Sequence, residues 1–243
     1  MKVWLFAHDY VGQQVFSFIA SKYFADISCV ITVEDNEIAK NAKKNGYDTL
    51  LYEDFLNGLP EINSDVPDIG ILAWWPKIIK KNLIEIPLHG FINLHPSFLP
   101  YNRGKNYAFW AIVEQNPFGV SIHEVTPGID DGAIIMQKKI EYSWLDTGET
   151  LYNKACVNMV QLFIESYPII RNLTWEKTPQ ALRAGSFHKN SELKEASKIK
   201  LDSSYTGREL LNLLRAQTFS NHSSCWFEED GATYEVRLNI TKK

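Results

Sequence analysis

The sequence predicts an α/β protein: a mostly parallel sheet covered by helices, followed by a small helix and a β-hairpin. Three observations carry this reading. Short, dense apolar runs alternate with amphipathic stretches from the N-terminus onward, the rhythm of strand, helix and strand in a sheet buried on both faces. A long apolar stripe at a spacing of four, from Leu151 to Tyr167, closes this first part. Near the C-terminus, two alternating segments flank Glu229-Asp230-Gly231, a hairpin signal.

Residues 2–7 read as a buried strand, and residues 13–22 carry Val15, Phe16, Phe18 and Ile19 at helical spacing. A strand follows at 27–33, a polar helix with Ala39 and Ala42 on one side at 38–45, and a brief extended run at 49–52. Ile69–Ala73 is an apolar run bounded by Pro67 and Pro76, hence a further strand. Phe91–His95 is the next strand, residues 107–114 a helix, and 119–125 and 133–140 two more strands. Thr147 is a good N-cap for the long helix lined by Leu151, Ala155, Met159, Phe163 and Tyr167. A core domain is expected over residues 1–173. From 174 to 204 the chain turns polar and lysine-rich, Phe187 and His188 excepted, and reads as a connecting segment wrapped over the surface. Residues 205–243 form the small C-terminal part, with a helix at 207–218 and hairpin strands at 224–227 and 233–240.

Composition excludes several classes. With 243 residues, 45% hydrophobic and 22% charged, the chain has ordinary globular proportions, against disorder or a fibrous protein. A net charge of −4 gives no global positive field to gather phosphates, so no nucleic-acid partner is expected. The first apolar run meets Asp9 too early for a signal peptide or membrane span, so a cytoplasmic chain with no membrane partner is expected. Cys29, Cys156 and Cys225 are odd in number, far apart and in no paired spacing, which suits reduced thiols and implies no metal.

The chemistry concentrates in two stretches. In residues 91–104, FINLHPSFLPYNRG, an apolar strand delivers Asn93 and His95 with one residue between them, so alternation puts both side chains on one face. Pro96 and Pro100 force the chain out of the sheet, leaving His95 at the carboxyl end of a strand, where open α/β sheets bind ligands. In residues 119–135, GVSIHEVTPGIDDGAII, a strand leads to a tight loop holding Asp130, Asp131 and Gly132. A carboxylate there can orient and polarise an imidazole. His123 reads as a core histidine or as a support for the other three. Trp74 and Trp75 fit either a stacking platform or ordinary strand packing.

These two stretches closely resemble the formyltransferases that use 10-formyltetrahydrofolate, whose pattern is Asn-x-His-Pro-Ser-x-Leu-Pro with an Arg-Gly turn, then Gly-Val-x-x-His and a Gly-x-Asp-x-Gly loop. The match falls on Asn93, His95, Pro96, Ser97, Leu99, Pro100, Arg103, Gly104, Gly119, Val120, His123, Gly128, Asp130 and Gly132. The resemblance extends over about residues 1–172 and implies a Rossmann-like formyltransferase fold, with Asn93, His95 and Asp130 as the catalytic triad. It implies N10-formyltetrahydrofolate as the one-carbon donor, lying near Trp74, Trp75, Asp131 and Gly132. Asn93 can donate to a tetrahedral oxyanion. His95 can act as base or, protonated, hold that oxyanion.

Within the family, His8-Asp9-Tyr10-Val11-Gly12 is a poor phosphate cradle for a glycinamide ribonucleotide enzyme. The tail is shorter than the basic C-terminal domain of methionyl-tRNA formyltransferases, and the core is expected to start at residue 1, where the formyltetrahydrofolate hydrolases carry an extra domain before it. The tail from Phe187-His188-Lys189 through Leu214-Arg215-Ala216 to Phe219 resembles the enzymes that formylate nucleotide-linked amino sugars. That implies dTDP-4-amino-4,6-dideoxyglucose as acceptor, with a dTDP-linked 3-amino isomer and GDP-perosamine as alternatives, and a product used in surface polysaccharide synthesis, such as O-antigen of lipopolysaccharide. A binding protein without activity is the alternative from another class. Lys77, Arg103 and Lys105 are cations suited to a pyrophosphate, although Lys105 equally fits solvated surface charge, and Asn106 and Tyr107 suit sugar or base. The hairpin, marginal alone, is expected to make a homodimer.

Overall fold

The computed structural model describes residues 1–58 and 66–243. Its strands are β1 (Val3–Ala7), β2 (Ile27–Thr32), β3 (Thr49–Leu51), β4 (Ile69–Ala73), β5 (Phe91–His95), the short β6 (Arg103–Gly104), β7 (Gly119–Glu124) and β8 (Ile134–Lys139). All but β6 form one seven-stranded sheet in the order β3-β2-β1-β4-β5-β7-β8. The first five strands in that order are parallel, and β7 joins β5 antiparallel. Two compact units divide the chain: Met1–His95 with Ser121–Gln137 and Met159–Gln180, and Pro96–Val120 with Lys138–Asn158 and Ala181–Lys243.

In the first unit, alternation along β1 sends Trp4 and Phe6 to an aromatic cluster with Tyr52, Phe55, Trp75 and Phe91. Phe6 meets Phe55, Trp75 and Phe91 edge-on at 5.4, 5.2 and 5.4 Å between ring centres, a favoured arrangement for aromatic pairs. Helix α1 (Asp9–Lys22) begins at Asp9 rather than at residue 13. Gly12 explains the difference, because a Cβ there would stand 2.9 Å from the Ala7 carbonyl carbon and 3.1 Å from the Ala73 oxygen. The helix runs close against the strand ends only because that position is bare. Helix α2 (Glu37–Lys44) is capped by Asn36, whose side chain accepts from the backbone of Ile38 and Ala39. Helix α3 (Tyr52–Gly58) starts where a brief extended run was the last expected feature, and buries Tyr52 and Phe55 on one face. A single turn, α4 (Lys81–Ile84), adds Leu83 and Ile84 to the aromatic cluster.

In the second unit lies helix α5 (Tyr107–Val113). The long helix α6 (Gly148–Arg171) buries its entire stripe, Leu151, Ala155, Met159, Phe163 and Tyr167. Residues 148–158 of that helix belong to the second unit and the rest to the first. Near its C-terminus, within the first unit, the buried Asp26 carboxylate accepts from Tyr167 Oη at 3.1 Å and Arg171 Nε at 2.8 Å. Burial, and the neighbouring Asp26 charge, hold the Tyr167 phenol above its ordinary range.

The segment expected only to connect carries structure of its own. Strand β9 (Phe187–His188) pairs with β6 in parallel, and helix α7 (Glu192–Ala196) follows. His188 stacks on Trp110 at 3.7 Å and 8°, and lies 2.9 Å from Glu114 and 3.1 Å from Glu192. Gly104, at φ 89°, lets β9 approach, since a Cβ would collide with the His188 carbonyl. Helix α8 (Gly207–Ala216) opens with a capping box between Thr206 and Glu209. Its Arg215 donates to the carbonyls of Ser143 at 2.6 Å and Asp146 at 3.0 Å. The hairpin is β10 (Cys225–Glu229) and β11 (Ala232–Val236), antiparallel, with Asp230 and Gly231 both at positive φ. That is the two-residue turn the dipeptide demands. Among the described residues, no helix is long and apolar enough to cross a membrane.

Candidate active site

The site lies within the first unit, where β5 and β7 run antiparallel. Asn93 is opposite His123 in the ladder and His95 is opposite Ser121. Period-two alternation aims Asn93, His95 and His123 at one spot on one face. Beyond β7 the chain turns through Pro127 and Gly128 and returns at Ala133, whose carbonyl accepts from the Glu124 backbone at 2.9 Å. That turn presents Asp130 to the same spot.

A single carboxylate oxygen, Asp130 Oδ1, faces the other three: His95 Nδ1 at 3.5 Å, Asn93 Nδ2 at 3.4 Å and His123 Nε2 at 3.6 Å. His95 and His123 are buried, with 5% and 2% of their surface exposed. The two imidazole rings meet edge to face, 5.9 Å apart at 85°. His123 Nδ1 lies 2.8 Å from the Glu124 carbonyl, which only accepts. Nδ1 therefore carries the hydrogen, and Nε2 offers its lone pair to the Asn93 amide at 3.2 Å. Burial, helped by the neighbouring His95, holds the His123 pKa down to about 4, so this ring stays neutral at physiological pH.

Asp130 sits at φ 50°, in the left-handed region that a non-glycine residue enters at a cost of order 1–2 kcal/mol. The loop is held there from two sides. Gln180 Nε2 donates to the carbonyls of Asp130 at 2.9 Å and Gly132 at 2.7 Å. Gly132 packs against the Glu124 carbonyl so closely that a Cβ would collide with it. Backbone strain kept in place by surrounding contacts is a mark of a functional position. Gln180 lies fifty residues from the loop it clamps, and nothing in its sequence neighbourhood signals that role. The carbonyl of Glu124, which sets the His123 tautomer, was equally invisible.

Chemically, the cluster offers an amide N–H donor, an imidazole able to exchange a proton, and a carboxylate that favours the protonated imidazole. That is the equipment for adding an amine to a carbonyl carbon: a donor for the developing oxyanion and a base for the departing proton.

The remaining sequence-derived candidates are dispersed. Trp74, half-buried at φ 60°, follows the carboxyl end of β4. Trp75 packs into the aromatic core, 5.2 Å from both Phe6 and Tyr52, so of its two readings packing is the one observed. Asp131 accepts from the Thr126 hydroxyl inside its own loop. Lys77 pairs with Glu53 at 2.9 Å and lies over the Tyr52 ring. Arg103, in the second unit, sits 5.9 Å from the Phe187 ring centre. Lys105, Asn106 and Tyr107, also in the second unit, share a cavity of about 500 Å³ with Tyr152, Phe219 and His222.

Residues 39–166 match the family described as formyl transferase, and residues 192–242 match the N-formyltransferase dimerization C-terminal domain. The chain belongs to the formyl transferase family. A methionyl-tRNA formyltransferase from Thermodesulfovibrio yellowstonii is 32% identical over 67% of this chain and 51% of its own length. A dTDP-4-amino-4,6-dideoxyglucose formyltransferase from Mycobacterium bovis is 28% identical over 60% of this chain and 63% of its own. The chain thus spans about half to three fifths of these two relatives. The crystal structure of a 4-N formyltransferase from Francisella tularensis superposes with a TM-score of 0.83 at 23% identity, covering 100% of this chain and 98% of that one. A formyltransferase from Anoxybacillus kamchatkensis, in complex with UDP-4,6-dideoxy-4-formamido-L-AltNAc and tetrahydrofolate, gives a TM-score of 0.57 at 28% identity over 80% and 89% of the two chains. The formyltransferase fold expected from the motifs is the fold found.

Proposed function

We propose that this chain transfers a formyl group from N10-formyltetrahydrofolate to the amino group of a nucleotide-linked amino sugar, with dTDP-4-amino-4,6-dideoxyglucose the first acceptor to test. The observation that carries the reading is the convergence of Asn93, His95 and Asp130 on one buried spot. Family membership supports formyl transfer. The sugar nucleotide is favoured by the Mycobacterium bovis relative and by the UDP-sugar and tetrahydrofolate held by the Anoxybacillus formyltransferase.

The folate supplies a formyl group activated by its bond to N10. Asn93 is pinned by its 3.2 Å bond to His123, while its N–H toward Asp130 is longer at 3.4 Å and is the one to turn onto the developing oxyanion. His95 takes the proton that the attacking amine gives up, and Asp130 stabilises the imidazolium. As the carbon–N10 bond breaks, the proton passes to the leaving nitrogen, so His95 ends neutral. Lys77, Arg103, Lys105, Asn106 and Tyr107 are assigned to the nucleotide sugar. For Lys105, Asn106 and Tyr107 the support is their shared, aromatic-walled cavity. Trp74, Trp75, Asp131 and Gly132 are assigned to the folate, with the backbone at Gly132 and the Trp74 side chain favoured over the buried Trp75 and the engaged Asp131. We further assign the chain to the cytoplasm, to surface polysaccharide synthesis and to a homodimer, the last supported by the match to a dimerization domain.

The test is release of tetrahydrofolate from 10-formyltetrahydrofolate, followed with dTDP-4-amino-4,6-dideoxyglucose, its 3-amino isomer, GDP-perosamine, glycinamide ribonucleotide, methionyl-tRNA or no acceptor. Turnover that depends on one nucleotide sugar is the expected result. Dependence on methionyl-tRNA, or release without acceptor, would overturn it.

A further inference from the structure

We propose that His95, His123 and Asp130 also form a binding site for a divalent transition-metal ion, zinc being the ion that the donor set fits. Each residue offers one ligand atom, and the three atoms lie within 4.8 Å of one another. Around a tetrahedral zinc with bonds of about 2.0–2.1 Å, ligand atoms stand roughly 3.3 Å apart. The carboxylate oxygen is already at 3.5 and 3.6 Å from His95 Nδ1 and His123 Nε2. Small side-chain movements close the remaining gap.

The surroundings match a metal ligand's needs in a second, independent way. A zinc-binding histidine keeps its other ring nitrogen on a carbonyl or carboxylate, which fixes the tautomer and aims the lone pair. His123 does this with the Glu124 carbonyl at 2.8 Å. Its Nε2 therefore points its lone pair at the cluster, where the Asn93 amide at 3.2 Å occupies it and must turn aside for a metal. Two imidazoles and one carboxylate leave a fourth position open to water, the pattern of an open zinc site. Nitrogen ligands also favour zinc or copper over magnesium. Metal binding takes the lone pair of His95 that proton transfer requires. On the reading given under Proposed function, zinc is therefore an inhibitor and not a cofactor.

The experiment uses the full chain and Co²⁺, whose visible d–d bands report tetrahedral coordination without reference to activity. One equivalent of Co²⁺ is expected to give these bands, and Zn²⁺ to remove them. His123→Asn and Asp130→Asn, each checked for native circular dichroism, should weaken Co²⁺ binding at least tenfold. His89→Asn, at an exposed histidine, should leave it unchanged. Two variants guard against one that fails to fold. Absence of bands at millimolar Co²⁺, binding unaffected by both variants, or a thiolate-to-cobalt band placing the ion on a cysteine would each overturn the site. Zinc binding that leaves formyl transfer intact would support the metal site and overturn the role given to His95.

Discussion

Asn93 and His123 are cross-strand partners in the β5–β7 ladder, and their side chains are joined at 3.2 Å with the imidazole as acceptor. The bond fixes which way the Asn93 amide faces. His123 is thus a positioning residue in the proposed reaction. Replacing it with Leu should lower turnover about tenfold, the worth of one hydrogen bond, with the folate KM little changed and His123→Gln restoring part of the loss. Unaltered kcat in the Leu variant would show that Asp130 alone holds Asn93.

The triad itself allows a larger effect. His95→Ala and Asn93→Ala should each reduce turnover by roughly two to three orders of magnitude with an unchanged circular dichroism spectrum. Near-normal tetrahydrofolate release from either variant contradicts the assignment.

Gly132 has no room for a side chain because the Glu124 carbonyl stands against it. Gly132→Ala must therefore displace the Asp130 loop or the Glu124 carbonyl that sets the His123 tautomer. Displacement on the scale of an ångström costs about 10²-fold in rate. The expected outcome is that loss together with a lowered Tm, and full activity would mean the loop tolerates the shift.

Asp146 gives the clearest pH dependence. Burial raises its pKa, but hydrogen bonds from Lys154 at 2.7 Å, the Ser143 backbone at 2.7 Å and Thr150 at 3.0 Å together outweigh burial and hold the carboxyl below its usual range. The folded state then gains stability above about pH 4, the unfolded value, and loses it as pH falls through the lower folded value. Urea midpoints measured from neutral pH down to about pH 3 should fall less steeply for Asp146→Asn than for the parent. Parallel curves would refute the attribution.

The hairpin presents Phe227 and Tyr234 stacked at 5.1 Å, with Tyr234 exposed. The full chain is expected to sediment as a dimer at micromolar concentration, and the double variant Phe227→Asp, Tyr234→Asp as a monomer. A monomeric parent would sink the homodimer.

The parallel sheet was legible because β1 and β4 are buried throughout and read as unbroken apolar runs. The stripe of α6 and the Asp230-Gly231 turn were legible for equally local reasons: helical period, and the need for positive φ. Helix α3 and the start of α1 were missed, since their signals are a pair of aromatic side chains and one glycine whose meaning depends on a strand end elsewhere in the chain. His188 was conspicuous in a lysine-rich segment, yet its partners Trp110 and Glu114 lie far back in sequence.

The sequence alone determined the sheet, the pairing of Asn93 with His95 on one strand face, and the loop that carries Asp130, because each follows from periodicity or turn chemistry over a few residues. Tertiary structure decided that one Asp130 oxygen would face Asn93, His95 and His123, that Glu124 would set the His123 tautomer, and that Gln180 would clamp the loop. Those outcomes depend on register and on contacts across dozens of residues, where a shift of one position in a β ladder turns every side chain to the opposite face.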